Sequence, residues 1–471
     1  MAVDYNEVYI LDPEFEIQQK DNQVLYVDWS NVNWIRMDKS GSELLALCDG
    51  TLSLDEVLDK LSSQYGFTPE FMKSHLSTFV ENVVNKGVLL KKGETKKYLQ
   101  NVYPDHPNDI WIHLTEQCNL ACPFCYSSSG MNGKNTLKAD NILSFLKQVP
   151  EIHRKGIILS GGEPFLYPEL DYFCERINEM GYTRITIITN GTVGEELYKS
   201  VIPRIHTLQI SVDGTTAHYH DYTRSSGSFE KVIPKFKLAR EYGVKHLIIS
   251  FTPNKFNIEN LPSLPDFALT HLIDGIHITR LQPAGRGVAN REKLLVSDDI
   301  FYKYIREFIV NFEKVNRVIT YIRENEQRYL DESEKRKHLG VTFAGDLSER
   351  LLTRGRNYNC GLGCAMISIN FDGYVYPCPQ MHFDCFRLGH IQKDLAPEVF
   401  AKGVEFVKRT SVDNETSGCH DCKYRLFCAG GCRAAAHTLN GDVMAKDPRC
   451  QYYIDFLEEL MWKANYNVKG A

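Results

Sequence analysis

Residues 114–127 read LTEQCNLACPFCYS. Cys118, Cys122 and Cys125 lie on this one short stretch in a C-x3-C-x2-C spacing. A [4Fe–4S] cube is ordinarily held by four cysteine thiolates. Three thiolates on a tight loop would hold three irons and leave the fourth open to another ligand. A zinc knuckle or a chance run of buried cysteines would also produce the spacing, so the flanking sequence has to decide.

From about 108 to 287, β-rich runs alternate with helical ones. The strand candidates are DIWIHL (109–114), GIILS (156–160), RITIIT (184–189), TLQISV (207–212), HLIISF (246–251) and GIHITRL (275–281). Between them NILSFLKQV, YPELDYFCERINEM and SFEKVIPKFKLAREYG carry apolar residues at helical spacing. Six βα units predict an α/β fold with a parallel sheet, doubly wound or curled into a partial barrel. In both, functional groups gather at the C-terminal ends of the strands. Cys118 follows the first strand and Ser160-Gly-Gly-Glu-Pro164 ends the second. Asn190 ends the third, Ser211 and Asp213 the fourth, and Leu281 to Arg286 the sixth. Purely structural turns would mark both ends alike.

With Phe124 before its last cysteine, the loop resembles the signature of the radical S-adenosylmethionine (SAM) superfamily, and the alternation resembles its partial (β/α)6 barrel. The resemblance implies that the open iron takes the amino and carboxylate groups of SAM, which is cleaved to a 5′-deoxyadenosyl radical. It further implies cofactor contacts from Phe124, Gly162, Glu163, Asn190, Ser211, Asp213, Arg224 and Leu281. Gly162 and Glu163 belong to a GGEP turn that holds the methionine amino group, and Ser211, with Asp213, faces the ribose. Arg224 suits the SAM carboxylate as a charge-assisted donor, although Ser225 replaces the family's usual glycine. Leu281 and the PAGR turn pack on adenine. The bland alternative for Arg224 and Arg286 is a solvated surface charge.

Residues 1–100 read as a module of their own. Extended segments at Val8–Leu11 and Val24–Val27 precede three helical patterns and a last strand at Val88–Leu90. Ser53-Leu-Asp-Glu56 is a capping box, Thr68-Pro69 a cap with an N1 proline, and Gly87 a stop. With LLALCDGTLSLDEV at its centre, the module resembles the PqqD-like recognition element of ribosomally made peptides, a winged helix that takes a leader segment as an added strand. A DNA-binding winged helix is disfavoured because basic residues do not cluster on the third helix.

Residues 101–296 form the expected barrel and 297–358 a helical connector without chemistry. From 359 to 471 the cysteines return. Cys360 and Cys378 flank ISINFDGYVYPC, which alternates like a hairpin with Asp-Gly at its turn. Cys419, Cys422, Cys428, Cys432 and Cys450 follow. The set resembles the SPASM extension of radical SAM enzymes. The resemblance implies a distal auxiliary [4Fe–4S] cluster on Cys419, Cys422, Cys428 and Cys450, and a proximal one on Cys360, Cys378 and Cys432, whose fourth position is either Cys364 or an open iron. Two structural zinc sites are the alternative. Cys385 fits neither set, and Cys48 and Cys174 read as core.

A net charge of −6 gives no electrostatic case for nucleic acid. No apolar stretch suits a membrane, and the N-terminus lacks a signal-peptide pattern. Fourteen cysteines without an export signal point to the cytoplasm and to metal ligation. The combined resemblance implies a maturase that forms thioether cross-links in a precursor peptide, served by an external electron donor such as flavodoxin or ferredoxin. Carbon–carbon or carbon–oxygen cross-linking is the nearest alternative. A sulfatase-activating enzyme fits less well, since Pro379 stands where that group carries an acidic base. No catalytic base is legible.

Overall fold

The computed structural model describes residues 3–98, 103–134, 136–282, 284–325, 339–344 and 360–463. The chain opens with strands β1 (Val8–Leu11), β2 (Glu16–Lys20), β3 (Gln23–Asp28), β4 (Asn33–Asp38), β5 (Asp49–Ser53) and β6 (Leu89–Lys91). They pair as two antiparallel sheets, β5-β1-β6 and β2-β3-β4. Helices Lys39–Leu47, Leu54–Tyr65 and Pro69–Asn85 complete the module. Both predicted caps form: Ser53 and Glu56 exchange the two bonds of a capping box, and Thr68 accepts from Phe71 N–H. Lys96 then folds back onto Asp12, Glu14 and Asp28 at 2.6–2.9 Å, tying the exit segment to the module.

β3 has two inward faces. Val24 and Tyr26 enter the core of the N-terminal module, whereas Leu25 and Val27 enter the core of the rest of the protein. Strand alternation therefore makes β3 a shared wall rather than the outside of an independent module.

The central sheet has ten strands. Seven run parallel in sequence order: β7 (Asp109–Thr115), β8 (Gly156–Gly161), β9 (Arg184–Thr189), β10 (Thr207–Ser211), β11 (His246–Phe251), β12 (Gly275–Thr279) and β13 (Gly340–Ala344). All six expected strands form, within two residues at each end. Residues such as Ile112, Leu159, Ile187, Ile210, Ile249 and Ile276 point to the helical layer and are almost fully buried. The opposite face is half-buried for the most part, so these runs read as largely apolar stretches.

Two features differ from expectation. β13 arises inside the supposed connector and pairs with β12. On the other edge β14 (Met366–Ile369) runs parallel to β7, continued by β15 (Tyr374–Tyr376) and β16 (Gly389–His390). The cysteine-rich part thus extends the barrel sheet. The hairpin turn is as expected, with Gly373 at φ 85° closing onto the Asn370 carbonyl at 2.8 Å. Helix Asp298–Asn325 realises the amphipathic pattern of the connector, while most of the charged helix expected after it, residues 326–338, lies outside the described residues. Among the described residues no helix is long and apolar enough to cross a membrane.

Candidate active site

Thr115 ends β7, and the chain turns directly into the cysteine loop. The loop is zipped to the turn after β8: Gly162 N–H donates to Thr115 O at 2.7 Å, and Glu163 N–H to Gln117 O at 2.7 Å. A Cβ on Gly162 would stand 2.0 Å from Gln117 O, so only glycine permits this approach. From the far side, Arg286 donates to Cys122 O at 2.9 Å and Ser129 O at 2.8 Å, and Asn290 to Pro123 O at 3.0 Å. Gly285 (φ 53°) lies so close that a Cβ would meet Cys125 O at 2.5 Å. Arg286 is a staple across the loop, not a solvated charge.

The three thiols are free, and Cys118 and Cys122 already have nitrogen donors aimed at them. Leu120 N–H lies 3.5 Å from Cys118 Sγ, Asn190 Nδ2 3.8 Å from the same sulfur, and Arg224 Nη1 3.8 Å from Cys122 Sγ. Burial pushes the Cys118 thiol up to about 11, so it needs a metal's charge to ionise. Donors trained on sulfur, one of them cationic, suit thiolates that hold an iron–sulfur cluster.

Around them, Arg224 is ion-paired with fully buried Asp213, and its guanidinium stacks 5.0 Å from the Phe124 ring. Asp213 has both oxygens engaged, Oδ1 by Thr252 N–H at 3.0 Å and Oδ2 by Arg224 and the Thr223 hydroxyl. It thus lies behind Arg224 as an anchor. Glu163 is fully buried and accepts from Asn190 N–H at 2.8 Å, Thr189 Oγ1 at 2.7 Å and Phe165 N–H at 3.2 Å. Burial pushes its carboxyl up to about 7, and its side chain locks two turns together. Asn190 bridges Cys118, Asn119 and Thr192. Ser211 keeps a hydroxyl with no hydrogen bond among the described residues. Leu281 lines a cavity of about 240 Å3 between the end of β12 and the cysteine-rich part, together with Arg280, Gln282 and Arg449. Arg280 pairs with Asp298 at 2.7 Å and leaves a buried Nη1 without a hydrogen bond. Pro283 lies outside the described residues.

Further residues, silent in the sequence, join the two cysteine regions. The Tyr126 hydroxyl meets His113 Nε2 at 3.0 Å, the His113 and His382 rings lie 4.7 Å apart, and His382 Nε2 meets Ser368 Oγ at 2.9 Å. Burial takes His113 down to about 4 and His382 well below its usual range, so both are neutral. Each occupies a single position on a strand or loop, which no local pattern announces.

In the C-terminal part, Cys419, Cys422, Cys428 and Cys450 line one small apolar cavity. Buried Asp447 accepts from Cys432 N–H at 2.6 Å, and its own carbonyl accepts from Cys450 N–H at 2.9 Å. Cys360, Cys378 and Cys432 form a second neighbourhood, with buried Cys364 beside Cys360. Cys385 is exposed, and Cys48 and Cys174 are core. Among the described residues no three cysteine sulfurs lie within 4.8 Å of one another.

Comparison with known proteins agrees. Residues 112–268 match the Radical SAM superfamily, and residues 23–89 match coenzyme PQQ synthesis protein D (PqqD). An AdoMet-dependent heme synthase of Nitratidesulfovibrio vulgaris is 26% identical over 72% of this chain and 90% of its own length. Mycofactocin maturase MftC of Mycobacterium tuberculosis is 25% identical over 74% of this chain and 83% of its own. Among solved structures, SuiB of Streptococcus suis bound to S-adenosylmethionine superposes with a TM-score of 0.54 at 17% identity, over 94% of this chain and 100% of that one. AdoMet-bound anSMEcpe gives 0.57 at 19% identity, over 75% and 97%. Residues 112–268 thus form a radical SAM domain, of the kind that uses a [4Fe–4S] cluster and SAM, in an enzyme with a PqqD-like domain before its barrel and a cysteine-rich part of SPASM pattern behind it.

Proposed function

We propose that this enzyme matures a ribosomally made precursor peptide by joining a cysteine sulfur of the peptide to one of its carbons. The observation that carries the reading is a PqqD-like domain in the same chain as a radical SAM site. A small-molecule enzyme has no use for a leader-binding sheet. SuiB, similar in fold over nearly the whole chain, has been captured with its precursor peptide SuiA, which supports a peptide partner. When bound, the SAM-site cluster and SAM supply one-electron chemistry that removes hydrogen from an unactivated carbon.

The chain's residues hold and screen. Cys118, Cys122 and Cys125 bind the first cluster. Arg224, steadied by Asp213, and the free Ser211 hydroxyl orient SAM over it, and Phe124 gives an apolar wall; Leu281 is kept beside adenine on the resemblance alone, since the cavity it lines contains none of these residues. Gly162, Glu163 and Asn190 hold the loops from which these groups project. Cys360, Cys364, Cys378 and Cys432 hold the proximal auxiliary cluster, and Cys419, Cys422, Cys428 and Cys450 the distal one. An external flavodoxin or ferredoxin supplies the initiating electron, in the cytoplasm. Domain limits near 100, 296 and 358 suit this division of labour, although β13 and β14 bind the last two parts to the barrel.

The test is co-expression with candidate precursors encoded beside the gene. A thioether removes two hydrogens, about 2 Da per link, and consumes one alkylatable cysteine. Loss of two hydrogens with undiminished alkylation, and no disulfide, would replace thioether formation by carbon–carbon linkage. Similarity to heme synthases supports a second reading, a tetrapyrrole substrate, which unmodified peptide together with porphyrin turnover would establish.

A further inference from the structure

The N-terminal module has a second contact surface besides any that a leader occupies. Trp29, just after β3, lies edge-on to Tyr424 at 4.8 Å and to Phe427 at 5.4 Å, and Trp34 of β4 lies 5.9 Å from Phe427. Glu16 of β2 accepts from Trp29 Nε1 at 2.6 Å and pairs with Lys423 at 3.3 Å, whose ammonium sits 4.7 Å from the Trp29 ring. Val32 packs into a small cluster with Val412, Leu426 and Cys419 itself. Arg36 of β4 donates to the Trp462 carbonyl of the last helix, Cys450–Lys463.

Tyr424 and Phe427 lie between Cys422 and Cys428, and Tyr424 lines the cavity shared by those cysteines with Cys419 and Cys450. The β2-β3-β4 sheet therefore covers the segment that carries three of these four sulfurs. Phe427 is fully buried and Tyr424 is 7% exposed, a burial to which Trp29 and Trp34 contribute. An apolar cover beside a metal group governs its access to water and solutes.

We infer that the β2-β3-β4 sheet of the recognition module is the outer wall of the distal auxiliary site, and that retention of a cluster there depends on it. This rests on reading Cys419, Cys422, Cys428 and Cys450 as a cluster-binding set. The module thus has a protective role that does not require peptide to be bound. It also places the peptide-recognising domain in direct contact with a cysteine-bearing turn.

The experiment uses full-length protein, anaerobically loaded, in wild-type, Trp29→Ala, Val32→Thr and Trp29→Phe forms, without peptide. Iron is captured by a ferrous chelator while the visible charge-transfer absorption is followed. The expected result is that about four irons, one cube's share, leave Trp29→Ala about fivefold faster than wild type. The remaining iron should leave at the wild-type rate. Val32→Thr, which keeps the volume, should show a smaller acceleration of the same fraction, and Trp29→Phe should restore slow release. Circular dichroism melting reports folding, and if Trp29→Ala fails to fold, Val32→Thr carries the test. Uniform wild-type rates in the folded variants overturn the inference. A variant with Cys419, Cys422, Cys428 and Cys450 all changed to Ala tests the parent reading separately: if wild-type protein holds no more iron than that variant, the cysteine set binds no cluster and both readings fall.

Discussion

The Tyr126 hydroxyl lies 3.0 Å from Nε2 of His113, so the residue following the last loop cysteine is moored to the middle of the first barrel strand. His113 is 1% exposed, and Tyr126→Phe strands its ring nitrogen away from water. The expected cost is about 1–3 kcal/mol. Urea unfolding of the variant should show the lower midpoint with an unchanged slope. An unaltered midpoint would mean that the mooring contributes nothing.

Arg224 and Asp213 form a buried pair whose halves are unequal in their loss. Arg224→Ala abandons a carboxylate with no exposure and should destabilise by about 3–5 kcal/mol. Asp213→Asn keeps the shape and should cost less. If Arg224 also meets the SAM carboxylate, Arg224→Lys should weaken SAM binding at least tenfold by equilibrium dialysis while preserving much of the stability, because a point charge replaces a fork.

Acid should loosen the fold before it reaches the ordinary carboxylates. Burial lowers His113 and His220 from 6.5 to about 4, so the unfolded chain binds more protons between those values and stability falls as pH falls. Each shift corresponds to roughly 3 kcal/mol, present in full above about pH 6.5 and lost toward pH 4. Glu163 acts in the opposite sense: its contribution is complete below pH 4.5 and lost as pH rises through about 7. The two histidines outweigh the one carboxyl. Unfolding midpoints should therefore drop from pH 7 to pH 5, and flatten in His220→Gln.

Gly162→Ala should be more harmful than its size suggests. Its new methyl would occupy the position 2.0 Å from Gln117 O, so the cysteine loop must separate from the turn after β8. Iron content of the loaded variant should fall by about one cube's worth. Alanine at Gly194, where nothing lies within 4 Å, is the matched control and should load normally.

The barrel was legible in the sequence because β-branched runs between turn residues declare themselves, whether buried on both faces, as GIILS is for the most part, or alternating buried with half-buried residues, as RITIIT does. β2 (EIQQK) is a polar edge and β4 (NWIRMD) divides its residues between two cores, so neither carries a clean period. β13 (GVTFA) becomes a strand only because β12 offers an open edge. At the site, the cysteines were legible because ligands on one loop must keep a fixed spacing. His113, His382 and Ser368 were not, since they meet through sheet register and separate loops. Arg286 was ambiguous for the related reason that its partners are backbone carbonyls more than 150 residues away in sequence.

The addition of β14 beside β7 has a mechanical consequence. Cys118 follows β7, and Cys378 follows β15, two lanes away in the same sheet. β15 runs antiparallel to β14, with Tyr376 level with Ser368 and Ser368 level with Trp111, so the two cysteine loops leave from opposite ends of the sheet, across a span fixed in hydrogen bonds. A ruler of this kind cannot lengthen by hinge bending, as a gap between loosely joined lobes can.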